Sequence, residues 1–202
     1  MSNIIKKYEC LVYPNAKDPS KYTAEESQAY FDWYIDNIPY RVNYLSNFSG
    51  IYLDFSEDSL KRLWKWFLKN AVIEKTPKVE IEKLRAELIA FPKSFSKYVV
   101  KEEKTRFSLE SCGIINDISM YIGEVFIRNC NGIRWGFHTN TDDSFVNMPE
   151  LQGFEDNSFS PPFQMNFEPE HMVSVQASKL FDKEQSDFDL FNIYMLWKTN
   201  YT

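Results

Sequence analysis

The segment "MYIGEVFIRNCNGIRW", residues 120–135, decides the fold because its hydrophobic pattern changes period within it. Up to Asn129 the apolar residues recur at helical spacing, and from Ile133 they alternate as in a half-buried strand. Between the two patterns, "NCNG" supplies Asn and Gly, which tolerate the left-handed backbone at helix ends. We therefore predict a long helix over 108–129 that leads into a strand, with Trp135 packed back on the helix.

Two sets of side chains follow the predicted helix, at about 100° per residue. The buried stripe is Ile115, Ile118, Ile122, Val125 and Phe126, and one edge of it carries Asp117, Tyr121, Glu124 and Arg128. This polar edge is the best candidate for catalysis or ligand binding in the sequence. A structural interpretation is favoured over it, because a Glu–Arg pair at this spacing stabilises a helix by about 0.2–0.5 kcal/mol. Gly123 is predicted to allow close approach of another element.

Helices are also predicted in the N-terminal half. Thr23 and Glu26 form a T-x-x-E capping box, which predicts a helix over 24–37. Pro39 disfavours the helical state of the residue before it, so the helix is expected to end or kink there, with "YRVNYL" as a continuation. A second helix is predicted over 56–70, and a third helix over 79–90 is followed by a linker.

Trp66 lies off the apolar stripe of the second predicted helix. Two interpretations remain open for it. It either covers a neighbouring loop or element, which we favour, or it is an exposed anchor for a binding partner.

The C-terminal half is predicted to begin with a β-hairpin or small antiparallel sheet in 133–167, with "FVNM" as a partner strand. Two helices, over 169–181 and 187–198, are expected to follow it. Segregated helices and strands predict an α+β fold, in which N-terminal and central helices pack with a small antiparallel sheet and C-terminal helices. We expect one domain over 1–202, with a helical N-terminal arm over 1–105 as a variant of that organisation.

Composition limits the classes of function. Of the 202 residues, 44% are hydrophobic and 17% aromatic, which predicts an aromatic-rich core. The formal net charge of -6 argues against nucleic-acid binding and favours a basic partner. Three cysteines without CxxC spacing indicate reduced thiols in a cytoplasm, and no apolar run is long enough to predict a membrane span or an export signal.

Recognised motifs of catalysis are missing from the sequence. His138 and His171 could form a metal site with Asp142 and Asp143, but their spacing matches no known ligand motif. The sequence contains no G-x-S-x-G nucleophile elbow, and with only 6 glycines it has no Gly-rich phosphate loop. We therefore predict no metal and no cofactor.

Three stretches carry a resemblance to a known group of proteins: "AYFDWYIDNIPYRVNYL" at 29–45, "INDISMYIGEVFIRNCNGIRWG" at 115–136, and "PPFQMNFEPEHMVSVQASKLF" at 161–181. Together they resemble uncharacterised small proteins of low-GC Gram-positive bacteria, some of them encoded like immunity proteins of secreted toxin systems. The resemblance covers most of the chain and implies an α+β fold and an immunity role. Its motifs concern packing and capping, so it implies no catalytic residue.

The sequence thus favours a non-enzymatic cytoplasmic protein that binds another protein, in the manner of an immunity protein that neutralises a toxin. Acidic groups around an aromatic anchor can speed association with a cationic surface. The residues expected to form that surface are Trp66, Asp142, Asp143, Glu155 and Asp156. The alternative is a small enzyme or small-molecule-binding protein that uses the edge formed by Asp117, Tyr121 and Glu124.

Overall fold

The structure is a computed structural model that describes residues 7–15, 17–78, 105–140, 142 and 145–202. After a short 3₁₀ turn at Pro19–Lys21, the described elements run in this order: α1 (Ala24–Ser49), α2 (Glu57–Asn70), β1 (Ile73–Lys75), β2 (Thr105–Phe107), α3 (Leu109–Asn129), β3 (Arg134–Gly136), β4 (Glu150–Asp156), β5 (Phe163–Phe167), α4 (Pro169–Asp182) and α5 (Asp189–Tyr201). Helices and antiparallel sheets are segregated, so the predicted α+β class is confirmed. The helix predicted over 79–90 lies outside the described residues.

Helix α1 begins as predicted and ends later than predicted. Both hydrogen bonds of the capping box are present, between Thr23 and Glu26. Of the two outcomes expected at Pro39, the structure has the continuation through "YRVNYL": the helix runs past the predicted bound at 37 to Ser49 and stops at Gly50. Burial explains the difference: the apolar stripe continues past the proline, and packing outweighs the lost backbone hydrogen bond.

Helices α2 and α3 match their predictions. Each begins after a serine N-cap, Ser56 and Ser108, whose hydroxyl accepts the backbone N–H three residues further on. All five residues of the stripe predicted for α3 are buried. Gly123 in α3 allows the predicted close approach, because the Trp135 indole lies directly against it.

Two small antiparallel sheets complete the described fold. Strands β1 and β2 form a two-stranded sheet that the sequence pattern did not predict. The second sheet has the order β3-β4-β5, within the predicted range 133–167. The partner strand predicted at "FVNM" is wrong: residues 145–148 form turns, and β3 pairs with β4 instead. Asn147 has a positive φ of 62°, which interrupts an extended backbone there.

The core is rich in aromatic residues, as the composition predicts. Its fully buried large side chains include Trp64, Phe67, Phe126, Phe154 and Tyr194. Phe126 of α3 lies at the centre of this group, with ring contacts to the sheet and to α5. No helix among the described residues combines the length and apolar character that crossing a bilayer requires.

Candidate functional site

Asp117 is buried and is bonded entirely by protein groups. The guanidinium of Arg41 donates to it from Nε and Nη2, with Nη2–Oδ2 at 2.6 Å. The Tyr8 hydroxyl donates to Oδ2 as well. Burial raises the pKa of Asp117, against the opposing effect of its bonds to Arg41 and Tyr8. This cluster ties the N-terminal segment to α1 and α3, which is a structural role.

Tyr121, one turn further along α3, is also fully buried. Its hydroxyl accepts the Phe55 backbone N–H at 2.9 Å and bonds to the Ser59 hydroxyl. Burial raises the pKa of Tyr121. The hydroxyl therefore fixes the entry to α2.

Glu124 and Arg128 are the two members of the predicted edge that reach solvent. Glu124 accepts a hydrogen bond from Trp135 Nε1 at 3.0 Å and lies 3.7 Å from Arg128 Nε. The Arg128 guanidinium carbon lies 3.7 Å from the centre of the Phe55 ring. The structure thus separates the predicted edge into a buried half and an exposed half.

The exposed half borders a groove of about 310 Å³ between α1, the 51–55 segment and α3. The groove is lined mainly by apolar residues, with Glu124 and Arg128 at one side. Phe55 on its wall has a positive φ of 61°, a strained conformation for an aromatic residue. The Tyr121 hydroxyl and the Asn129 amide hold that backbone in place. Hydrogen bonds therefore fix the Phe55 wall of the groove, and the Glu124–Arg128 ion pair lies at one side of it.

Trp66 packs on a neighbouring element, as the favoured interpretation holds. It is partly buried against the core, and its ring meets the edge of Phe48 from α1 at 6.1 Å. This contact accounts for an aromatic residue outside the main stripe of α2.

The acidic turn predicted at Asp142 and Asp143 is described only at Asp142, since Asp143 lies outside the described residues. Asp142 is exposed, and its N–H donates to the Asn140 side chain. The described residues contain no group of three or more side chains arranged to hold a metal ion. His171 instead packs against Phe145, with ring centres 4.7 Å apart.

Glu155 and Asp156 lie at the end of the β4–β5 hairpin where residues 157–162 connect the two strands. Glu155 accepts a hydrogen bond from Gln164 across the hairpin at 2.7 Å. Asp156 accepts from the hydroxyl and the N–H of Ser158, and these bonds lower its pKa. Both carboxylates therefore hold defined positions at this end of the sheet.

Two exposed phenylalanines lie next to these carboxylates and were not singled out from the sequence. Phe159 is 59% exposed and Phe163 is 62% exposed, with ring centres 6.2 Å apart. The signal that could have identified them is phenylalanine on both sides of a turn sequence, "EDNSFSPPF".

His138 and Glu150 form a polar contact that was not predicted from the sequence. Their side chains approach to 3.8 Å between Nε2 and Oε2, and Glu150 is 1% exposed. Gln152 and Asn166 donate to the other carboxylate oxygen. His138 Nδ1 accepts the Asn140 N–H, so this nitrogen is occupied, and the contact with Glu150 links the segment after β3 to the start of β4.

Comparison of the chain with protein-family models, with curated proteins and with solved structures gives no match. Function is therefore argued from the residues of this chain alone.

Proposed function

We propose that this chain is a non-enzymatic, cytoplasmic protein that binds a basic protein partner through the end of the β4–β5 hairpin. Neutralisation of a toxin, as by an immunity protein, is the specific form that the sequence resemblance suggests. The unpaired Cys10, Cys112 and Cys130 are consistent with a reducing compartment.

The exposed pair Phe159 and Phe163 is the observation that carries this proposal. Two adjacent phenylalanines in water leave a contiguous apolar surface, and such patches on soluble proteins mark interaction sites. Aromatic residues are enriched in the centres of protein interfaces, where they lose contact with water. The hairpin thus offers the apolar centre of an interface.

The charges beside this pair favour a basic partner. Asp156 lies opposite Phe163 in the strand register, Glu155 is its neighbour in β4, and the whole chain carries a net charge of -6. Since hydrogen bonds from Ser158 lower the pKa of Asp156, its charge persists at neutral pH. Acidic groups at the rim of an apolar patch speed association with a cationic surface and select against acidic competitors.

Strand β5 adds a backbone surface to the same region. It is the outer strand of the β3-β4-β5 sheet in the described part of the chain. Gln164 and Asn166 on it are exposed. An extended partner segment could therefore pair with this edge while its side chains contact Phe163.

The decisive experiment is co-expression with the product of the adjacent open reading frame, followed by co-purification and titration of the two purified proteins. The test variant is Phe159→Ser with Phe163→Ser. Phe188→Ser is the matched control, because Phe188 is 52% exposed and lies outside the hairpin. We expect the hairpin variant to bind at least about tenfold more weakly, while the control keeps its affinity.

A second candidate function rests on the groove beside Glu124 and Arg128. Its strained Phe55 wall and its single ion pair favour binding or turnover of a small molecule. If no protein co-purifies and a metabolite is retained or converted, with loss on Glu124→Gln, this function replaces the first. If a protein partner is captured and the hairpin variant binds it as tightly as the wild type does, the proposed surface is rejected as well.

A further inference from the structure

A second cavity, of about 210 Å³, lies between the N-terminal segment, α1 and the start of α4. Six of its eleven lining residues are five aromatic side chains and a single carboxylate, namely Tyr13, Tyr22, Tyr30, Trp33, Tyr34 and Glu170, and Lys17 is among the other five. At about 30 Å³ per water molecule in the liquid, this volume suits a small organic molecule. None of these six residues belongs to the hairpin or to the groove described above.

The aromatic rings are fixed by contacts with one another. Tyr30 is central: its ring lies 5.1 Å from Tyr13, 5.7 Å from Tyr22 and 6.0 Å from Trp33, between ring centres. Tyr34 below them is 3% exposed and anchors the cluster in the core. Because aromatic faces carry negative electrostatic potential, rings held in this way around a cavity attract a cation.

Glu170 adds a formal negative charge to the same cavity. It lies in the first turn of α4, and no lysine or arginine of the described chain pairs with it. Although Glu170 is an exposed residue, the protein around its carboxyl group partly desolvates it and raises the pKa of Glu170. The carboxylate also acts on its neighbours, since after burial it is the main cause of the raised pKa of Tyr34.

Lys17 also lines the cavity and places an ammonium group against one of its rings. Its Nζ lies 5.5 Å from the centre of the Tyr22 ring, within the range of a cation–π contact. Both carboxylate oxygens of Glu26 bind this Nζ at 2.7 Å. Lys17 is therefore held by Glu26, and it leaves Glu170 without a counter-ion.

We propose that this cavity binds a small free alkylammonium ion, with the aromatic rings around its cationic head and Glu170 as the counter-charge. Aromatic walls suit a quaternary ammonium, because its methyl groups lose little hydration and make apolar contact with the rings. This site is independent of the proposed protein-binding surface, so either can fail without the other.

Calorimetric titration of the full chain with choline and with tetramethylammonium tests the proposal. The control ligand is 3,3-dimethyl-1-butanol, which has the shape of choline without its charge. We expect both cations to bind, and the neutral analogue to bind at least about tenfold more weakly, as the loss of several cation–π contacts implies. The proposal is overturned if neither cation binds at tens of millimolar. It is also overturned if the neutral analogue binds as tightly as the cations.

Two variants locate the site. Glu170→Gln should weaken choline binding about fivefold or more, since it removes the counter-charge and keeps the shape. Glu184→Gln is the matched control, because Glu184 is an exposed carboxylate just after α4 that does not line this cavity, and the choline affinity of this variant should be unchanged. Melting curves of both variants verify folding, and saturation transfer from the protein to the choline methyl protons reports the ring contact directly. Unchanged affinity in a folded Glu170→Gln overturns the proposal.

A trimethyl-lysine peptide distinguishes a free ion from a modified side chain. The free cation should bind at least as tightly as the peptide, because the cavity lies between packed elements. Peptide binding more than about tenfold tighter than choline would overturn the assignment to a free ion and assign the cavity to a methylated partner protein.

Discussion

The indole ring of Trp135 occupies the space that a side chain at Gly123 would need: a Cβ atom at position 123 would lie 2.2 Å from Cζ2 of the indole. Trp135 Nε1 then donates to Glu124, the next residue of α3. Helix and strand are therefore joined by a close contact of ring on backbone together with one hydrogen bond. The polar residues of this corner serve that junction.

Gly123→Ala is expected to destabilise the protein by about 1–3 kcal/mol, because the added methyl group displaces the indole in a packed region. Denaturant unfolding measures the change. Trp135→Phe has a smaller ring and provides the control. In a Trp135→Phe protein, Gly123→Ala should lower the free energy of unfolding by clearly less than in the wild type. Equal costs in the two backgrounds would show that the strain arises elsewhere.

Trp135→Ala should lower the free energy of unfolding by about 3 kcal/mol, toward the lower end for loss of a large aromatic because the residue is only partly buried. Glu124→Gln, which keeps an acceptor for the indole N–H, should cost under about 1 kcal/mol. Thermal melting of the two variants side by side tests the ranking. Wild-type melting of Trp135→Ala would remove this residue from the core.

Asp117→Asn should destabilise the fold by about 3–5 kcal/mol, because Arg41 would remain buried without its counter-charge. The companion variant replaces the whole cluster, with Arg41→Met, Asp117→Leu and Tyr8→Phe together. This triple variant should lose less free energy of unfolding than Asp117→Asn does, because no charge is left buried. Denaturant unfolding compares the two, and a larger loss in the triple variant would contradict this account.

Local signals predicted the beginnings of α1, α2 and α3 and the ends of α2 and α3, but they left the end of α1 open between two alternatives. The caps at Thr23, Ser56 and Ser108 are short-range hydrogen bonds, so the sequence specifies them directly. The extension of α1 past Pro39 depends on contacts with distant elements, including the Arg41–Asp117 pair. Such contacts outweigh local preference, and periodicity within a single segment does not reveal them.

The candidate sites show the same limit. Helical spacing placed Asp117, Tyr121, Glu124 and Arg128 on one edge, and it could not indicate which of them other elements cover. Arg41 and Ser59, from α1 and α2, cover the first two and leave the last two at the groove. The Phe159–Phe163 contact likewise required the hairpin pairing, since exposure is a property of the assembled sheet.

Acid should weaken the start of α1 through Glu26. Lys17 and the Thr23 N–H hold the pKa of Glu26 below its ordinary value of 4.5, so the unfolded chain takes up its proton first as pH falls. The stabilisation is therefore present above pH 4.5 and is lost as pH falls through the lower pKa of the folded state. We expect Glu26→Gln to have a lower Tm than wild type at pH 7, and expect this difference to shrink toward pH 3. A double-mutant cycle with Lys17→Met should show favourable coupling at pH 7 that fades over the same range. A Tm difference that stays constant with pH would show that the Glu26 charge does not contribute to the cap.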